Sequence, residues 1–106
     1  MTDREMLELA AKAAGEDIFI DSEGRAWVRG TCAAWVPQDD DGQALRLAVK
    51  LRIKHERHVH GYVAAWAPGV FGRFEEPELN DPYAATRRAI FRAAAEIGRI
   101  LIHRRN

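Results

Sequence analysis

The sequence is poor in the features that usually give a function away. It has one cysteine, Cys32, so no intramolecular disulfide staples the fold and a disulfide-built secreted scaffold is excluded. No apolar run approaches the roughly 20 residues of a membrane-spanning helix. The start shows neither a basic region followed by an apolar stretch nor a cleavage site, so a cytoplasmic location is expected. There is no net charge, since 16 Lys and Arg balance 16 Asp and Glu, and long-range attraction to nucleic acid or an anionic membrane cannot be read from the whole chain. The G-x-S-x-G elbow, the P-loop, the dinucleotide glycine fingerprint and H-E-x-x-H are all missing. No enzyme and no cofactor are therefore expected.

What is present fits one ordered domain over residues 1–106. The chain of 106 residues is 47% hydrophobic and 30% charged, and at that length folding hides roughly two-thirds of the unfolded surface. Charge is unevenly placed: residues 1–43 hold ten acids against four bases and residues 44–106 six acids against twelve bases, halves of −6 and +6. Such asymmetry suits an anion-binding face or self-association between unlike surfaces.

Thr2-Asp3-Arg4-Glu5 is a capping box, and Met6, Leu9, Ala10 and Ala13 recur at the spacing of one buried helix face, which predicts a helix over 3–14 ended by Gly15. Ile18–Ile20 and Ala26–Val28 flank Asp21-Ser22-Glu23-Gly24 and read as a hairpin. Ala44, Leu45, Ala48, Val49 and Leu51 predict a second helix over 42–51, capped by an aspartate of the run Asp39–Asp41. From Arg52 to Trp66 the period is two, with Leu51, Ile53, Val59 and Val63 on the apolar side, which predicts a strand folding back near Gly61. Val70–Phe74 could add one more strand. Asp81 and Pro82 open a third helix running to about His103, with Tyr83, Ile90, Ala94, Ile97 and Leu101 on its buried face and Arg88, Arg92, Glu96, Arg99 and His103 opposite. The fold class expected is α+β: an α-β-α sandwich whose small, mainly antiparallel sheet is covered by three helices, the last one long.

Three segments, MTDREMLELAAKAAG at 1–15, WVPQDDDGQALRLAVKL at 35–51 and DPYAATRRAIFRAAAEIG at 81–98, resemble the small proteins of the phage ABA-sandwich family. The resemblance implies a phage- or prophage-encoded protein with an α-β-α layered fold, acting in the host cytoplasm. It implies no catalytic mechanism, and no functional residue carries over.

Several constellations have the residue types of a site. Cys32 with His55, His58, His60 or His103 could form a nucleophile and base, and His55, His58, His60 and Glu56 have zinc-ligand chemistry, although a solvated polar strand is the plainer reading. Asp39–Asp41 could hold a hard cation, but an aspartate is wanted there as a helix cap. Arg87 and Arg88 sit one turn into a helix whose first N–H groups favour an anion; with Asn80 and Tyr83 they could hold a phosphate-bearing ligand, or they could pair with Asp81 or Glu78. Trp27, Trp35, Trp66 and Tyr62 could stack on a base or fill the core. A stripe of Arg88, Arg92, Arg99, Arg104 and Arg105 could meet nucleic-acid phosphates, which overall neutrality disfavours.

The expected function is that of a non-enzymatic, phage-encoded, homo-oligomeric binding protein: a host-defence antagonist that sequesters a nucleotide-like signalling molecule, cyclic forms included, through Asn80, Tyr83, Arg87, Arg88, Trp35 and Trp66. The alternatives are a protein-interaction module that inhibits a host complex through its acidic N-terminal half, or a phage accessory protein of another kind. No membrane partner is expected.

Overall fold

The computed structural model describes residues 1–104. In chain order the elements are α1 (Asp3–Ala14), β1 (Ile18–Ile20), β2 (Ala26–Val28), α2 (Asp41–Leu51), β3 (Lys54–His58), β4 (Tyr62–Trp66), β5 (Phe74–Pro77) and α3 (Pro82–Arg104). The class is α+β, with a long C-terminal helix.

Local chemistry sets the boundaries. The Thr2 hydroxyl accepts from the Glu5 backbone N–H at 3.1 Å and donates to the Glu5 carboxylate at 3.1 Å, so the box at this end closes through the side chains. Gly15 ends α1 at φ 70°, and its N–H and that of Glu16 return to Lys12 and Ala11 carbonyls, the pattern of a left-handed cap. Asp40 caps α2 by accepting from Gln43 N–H at 2.8 Å. Arg52 closes α2 at φ 59°, a conformation that costs a side-chain-bearing residue about 1 kcal/mol. Asp81 caps α3 by accepting from the N–H groups of Tyr83 and Ala84, both at 3.1 Å.

The strands form two antiparallel sheets rather than one: the hairpin β1–β2, with Ile18 opposite Val28, and a meander in the order β3-β4-β5, with Lys54 opposite Trp66 and Ala65 opposite Phe74. The fold-back near Gly61 is present, but Val59 belongs to that turn and is exposed instead of lying on the apolar side. The last strand begins at Phe74, where the stretch Val70–Phe74 ends; Pro68 and Gly69 form a turn and Val70–Arg73 is irregular.

The layering differs in one respect from a sandwich with a central sheet. Helix α3 is the middle layer: it packs on the three-stranded sheet, while α1 and α2 make their main contacts with α3 and not with that sheet. Its buried residues, Ala85, Ala89, Ile90, Phe91, Ala93, Ala94, Ala95 and Gly98, therefore surround most of the helix instead of forming one stripe. Alanine makes this possible, because small side chains let neighbours approach from several directions. Tyr83 and Leu101, expected on the buried face, are 69% and 39% exposed because they lie at the ends, beyond the layers that cover the middle. Val63 and Ala65 of β4 join the common core with Met6, Leu7, Leu47, Ile90 and Phe91.

Candidate functional site

The two arginines singled out in the sequence are structural ties. Arg87 donates from Nε to the Gln38 carbonyl at 3.2 Å and from Nη1 to Asp41 Oδ1 at 2.6 Å, with its side chain only 19% exposed. Arg88 donates to Asp3 Oδ1 at 3.2 Å. Asp41 and Asp3 are the first residues of α2 and α1, so two consecutive arginines fasten the start of α3 to the starts of the other two helices. The carboxylates lie where the helix dipole already favours them. The partners are thus Asp41 and Asp3, not the expected Asp81, which caps α3, nor Glu78, which pairs with Arg57 at 2.5 Å.

Asn80, Arg87 and Arg88 do line one concavity, of about 510 Å³. The same hollow is bordered by Asp3, Asp39, Glu76, Glu78 and Asp81; Asp3, Glu76 and Glu78 are paired with Arg88, Arg92 and Arg57, and Arg87 with Asp41, which leaves Asp39 and Asp81 in excess and neither lining arginine free. A phosphate entering it would meet net negative charge. The tryptophans are elsewhere. Trp35 is 7% exposed and belongs to the core, beside a separate hollow of about 360 Å³ between α2 and the end of α1. Trp66 stands on the far face of the three-stranded sheet, under the Arg73 guanidinium at 4.6 Å. Trp27 donates its indole N–H to Asp21 at 3.0 Å. The six residues expected to share a ligand are therefore divided among separate places, because helix and sheet faces that alternate in sequence diverge in space.

The histidines are likewise divided. His58 pairs with Glu56 at 2.8 Å, stacks on Tyr62 with ring centres 4.3 Å apart, and approaches Arg73 at 3.2 Å, all on the outer sheet face. His55 lines a groove on the α3 side, and His60 lies in the turn after β3. Among the described residues no group of three or more His, Cys, Asp or Glu is arranged to hold a metal ion. Cys32 is exposed in the loop after β2. The basic stripe on α3 is mostly spent internally: Arg88 on Asp3, Arg92 on Glu76 at 2.5 Å, and Arg99 on Glu96. Arg105 lies outside the described residues.

The surface that stands out instead is a groove of about 440 Å³ walled by α2 on one side and β3 on the other, with the start of α3 as its floor. Ala44 and Leu45 come from α2, His55 and Arg57 from β3, and Tyr83 and Ile90 from α3. Leu45 is 59% exposed, Val49, one turn further along α2, is 71%, and Tyr83 on the floor's outer end is 69%. The Arg57–Glu78 pair holds the β3 wall: that hydrogen bond raises the arginine's pKa and lowers the glutamate's, so both stay charged throughout the physiological range.

Of the residues singled out in the sequence, Asp41, His55, Tyr83 and Arg87 reach this groove, though no expectation joined them there; Leu45 and Arg57 were not expected in a site. A signal for it existed. At about 100° per residue the apolar positions of α2, from Leu47 round to Val49, cover an arc of about 200°, wider than a single buried stripe. Part of that arc had to face outward, and Leu45 and Val49 are that part. No helix of the described chain is long and apolar enough to cross a membrane. Compared with protein-family models, with curated proteins and with solved structures, the chain matches none, so the geometry alone bears on what this surface does.

Proposed function

We propose that this is a non-enzymatic binding protein, a phage accessory protein as its resemblance implies, and that it works by docking another protein on the groove between α2 and β3. One observation carries the reading: Leu45 and Tyr83, two large side chains, stand exposed at the lining of a preformed groove, and Val49 is exposed one helical turn beyond Leu45. Exposed apolar side chains clustered at a groove mark interaction surfaces. A host protein is the partner class that fits an inhibitor acting in a bacterial host. The docking surface lies on the basic part of the chain, not on the acidic N-terminal half.

Sequestration of a nucleotide-like molecule has less support. Its arginines are committed to Asp41 and Asp3, five carboxylates border the hollow they share, and the tryptophans that would stack on a base are remote.

Photo-crosslinking from position 45 or 83 in a bacterial host lysate tests the reading. A specific crosslinked protein, lost with Val49→Lys, is the expected result. Thermal shift with nucleotide second messengers should give none. A messenger that stabilises the protein, with the effect abolished by Arg88→Ala, would overturn protein docking in favour of sequestration.

A further inference from the structure

We propose that the hollow between α2 and the end of α1 is a second binding site, for a small organic acid that joins one carboxylate to an apolar body. It opens on the other side of α2 from the docking groove, so the two readings stand or fall separately. The charges that recognise the acid line the hollow itself: Arg46 and Lys50 of α2, with Glu16 the one carboxylate beside them. Among the described residues most arginines have a carboxylate partner, from Arg4 with Glu8 to Arg99 with Glu96, but neither Arg46 nor Lys50 has one. Their spacing carries a cost, because cations four residues apart share one side of a helix and repel. Lys50 has a partial reason to be there: its Nζ would lie 3.8 Å from a Cβ on Gly15, at the C-terminal end of α1, where the helix dipole attracts a cation. Arg46 reaches back over Gly42, where the neighbouring Asp40 carboxylate caps α2 instead of pairing with it.

The facing wall is apolar and already in place. Val28 ends β2, Ala34 and Trp35 follow in the loop, and Leu47 adds the α2 side. Gln43 clamps that loop to the helix: its Oε1 accepts from the Val36 N–H at 2.7 Å and its Nε2 donates to the Ala34 carbonyl at 3.0 Å. The Trp35 N–H in turn donates to the Ala26 carbonyl at 2.9 Å, which ties the loop to β2. A wall formed before the ligand arrives spares the cost of ordering it on binding. The hollow holds about 360 Å³, near the small end of the roughly 300–1,000 Å³ of small-molecule sites. Charge then selects the ligand. Two cations against one carboxylate leave a single positive charge, which one carboxylate balances; a phosphate ester, with up to two negative charges, would exceed it. The planar guanidinium of Arg46 also matches the two oxygens of a carboxylate.

The probe is 3-phenylpropanoate, beside its neutral amide, acetate, inorganic phosphate and a short peptide ending in phenylalanine. Each is titrated into the full chain while backbone amide signals are followed by NMR. Phenylpropanoate is expected to give saturable shifts at Ala33–Trp35 and Gln43–Lys50, with the signals of Tyr83 and β3 unmoved. Arg46→Gln and Lys50→Gln, both at exposed positions, should each weaken it roughly tenfold, the worth of a charged hydrogen bond. Acetate, which lacks the apolar body, and the neutral amide, which lacks the charge, should bind at least tenfold more weakly. No saturable shift at the hollow up to the solubility of phenylpropanoate overturns the proposal, as does binding by the amide as tight as by the acid. Equal binding by phosphate would reduce the site to a bare cationic surface and overturn it too, and tighter binding by the peptide would assign the hollow to a protein C-terminus instead. Binding that neither glutamine variant weakens removes the role of Arg46 and Lys50, and the proposal with it.

Discussion

Gly98→Ala should destabilise this protein despite replacing a glycine inside a helix. A Cβ built on Gly98 lies 1.9 Å from the carbonyl oxygen of Leu9 and 2.6 Å from its carbon. Carbon and oxygen in ordinary contact are about 3.3 Å apart, so α1 would have to withdraw by more than 1 Å at the point where it crosses α3. The obstacle is backbone, which has no rotamer to change. Overpacking in a core costs typically 1–3 kcal/mol, and the upper end applies because the most extensive helix contact in the molecule is the one opened. Alanine returns about 1 kcal/mol of helix propensity, leaving a net loss of about 2 kcal/mol. For a chain of this size that lowers Tm by about 8–16 °C. Gly42→Ala is the control, because a Cβ there meets only Arg46 Nη1 and Asp40 Oδ2 at 3.4 Å. It should be neutral or stabilising by about 0.5 kcal/mol. Chemical denaturation followed by circular dichroism measures both. If Gly98→Ala is as stable as the parent, α1 and α3 do not approach this closely and the reasoning fails.

Asp21 is held at a pKa of about 2, first by the Trp27 indole N–H and then by the Arg25 backbone N–H. A depressed carboxylate contributes stability above its unfolded value near 3.8 that is lost as pH falls through about 2; Asp21→Asn should flatten the acid limb of a Tm profile in that window, and an unchanged limb would exclude the contact. Arg52→Gly should stabilise by about 0.5 kcal/mol in urea denaturation, since glycine takes positive φ without strain but starts from a freer unfolded chain. Arg87→Ala should cost about 1–2 kcal/mol, between an exposed ion pair and a buried charged hydrogen bond, with Asp41→Ala adding little to it in a double-mutant cycle; additive losses would mean that the two do not interact. Sedimentation tests self-association, where a dimer that survives Val49→Lys and Leu45→Lys would separate any oligomer interface from the docking groove.

The elements themselves were written in local sequence. Thr2, Gly15, Asp40, Asp81 and Pro82 mark helix ends because caps satisfy backbone groups within a few residues, and the hairpin at Asp21–Gly24 and the fold-back at Gly61 are local turns. An antiparallel, α+β arrangement followed from short connections. What local sequence could not supply was which side of each element meets which other. Helix α3 reads as amphipathic, with one stripe from Tyr83 to Leu101, yet its many alanines allow burial on several sides. Only packing made it the middle layer, exposing Tyr83 and Leu101 and bringing Gly98 against Leu9.

The same holds for the site. Arg87 and Arg88 stood out as cations with either a ligand or a nearby acid, Asp81 or Glu78, to meet; their actual partners are 46 and 85 residues away, and a Coulomb interaction depends on distance in space, not along the chain. The groove has no motif at all: it is the gap left where a three-stranded sheet stops short of α2. Sequence determined the helices, the first hairpin and the fold-back between β3 and β4; the tertiary structure decided where the last strand lies and that Leu45, Val49 and Tyr83 would face outward, because the core was already filled from the other sides of α2 and α3.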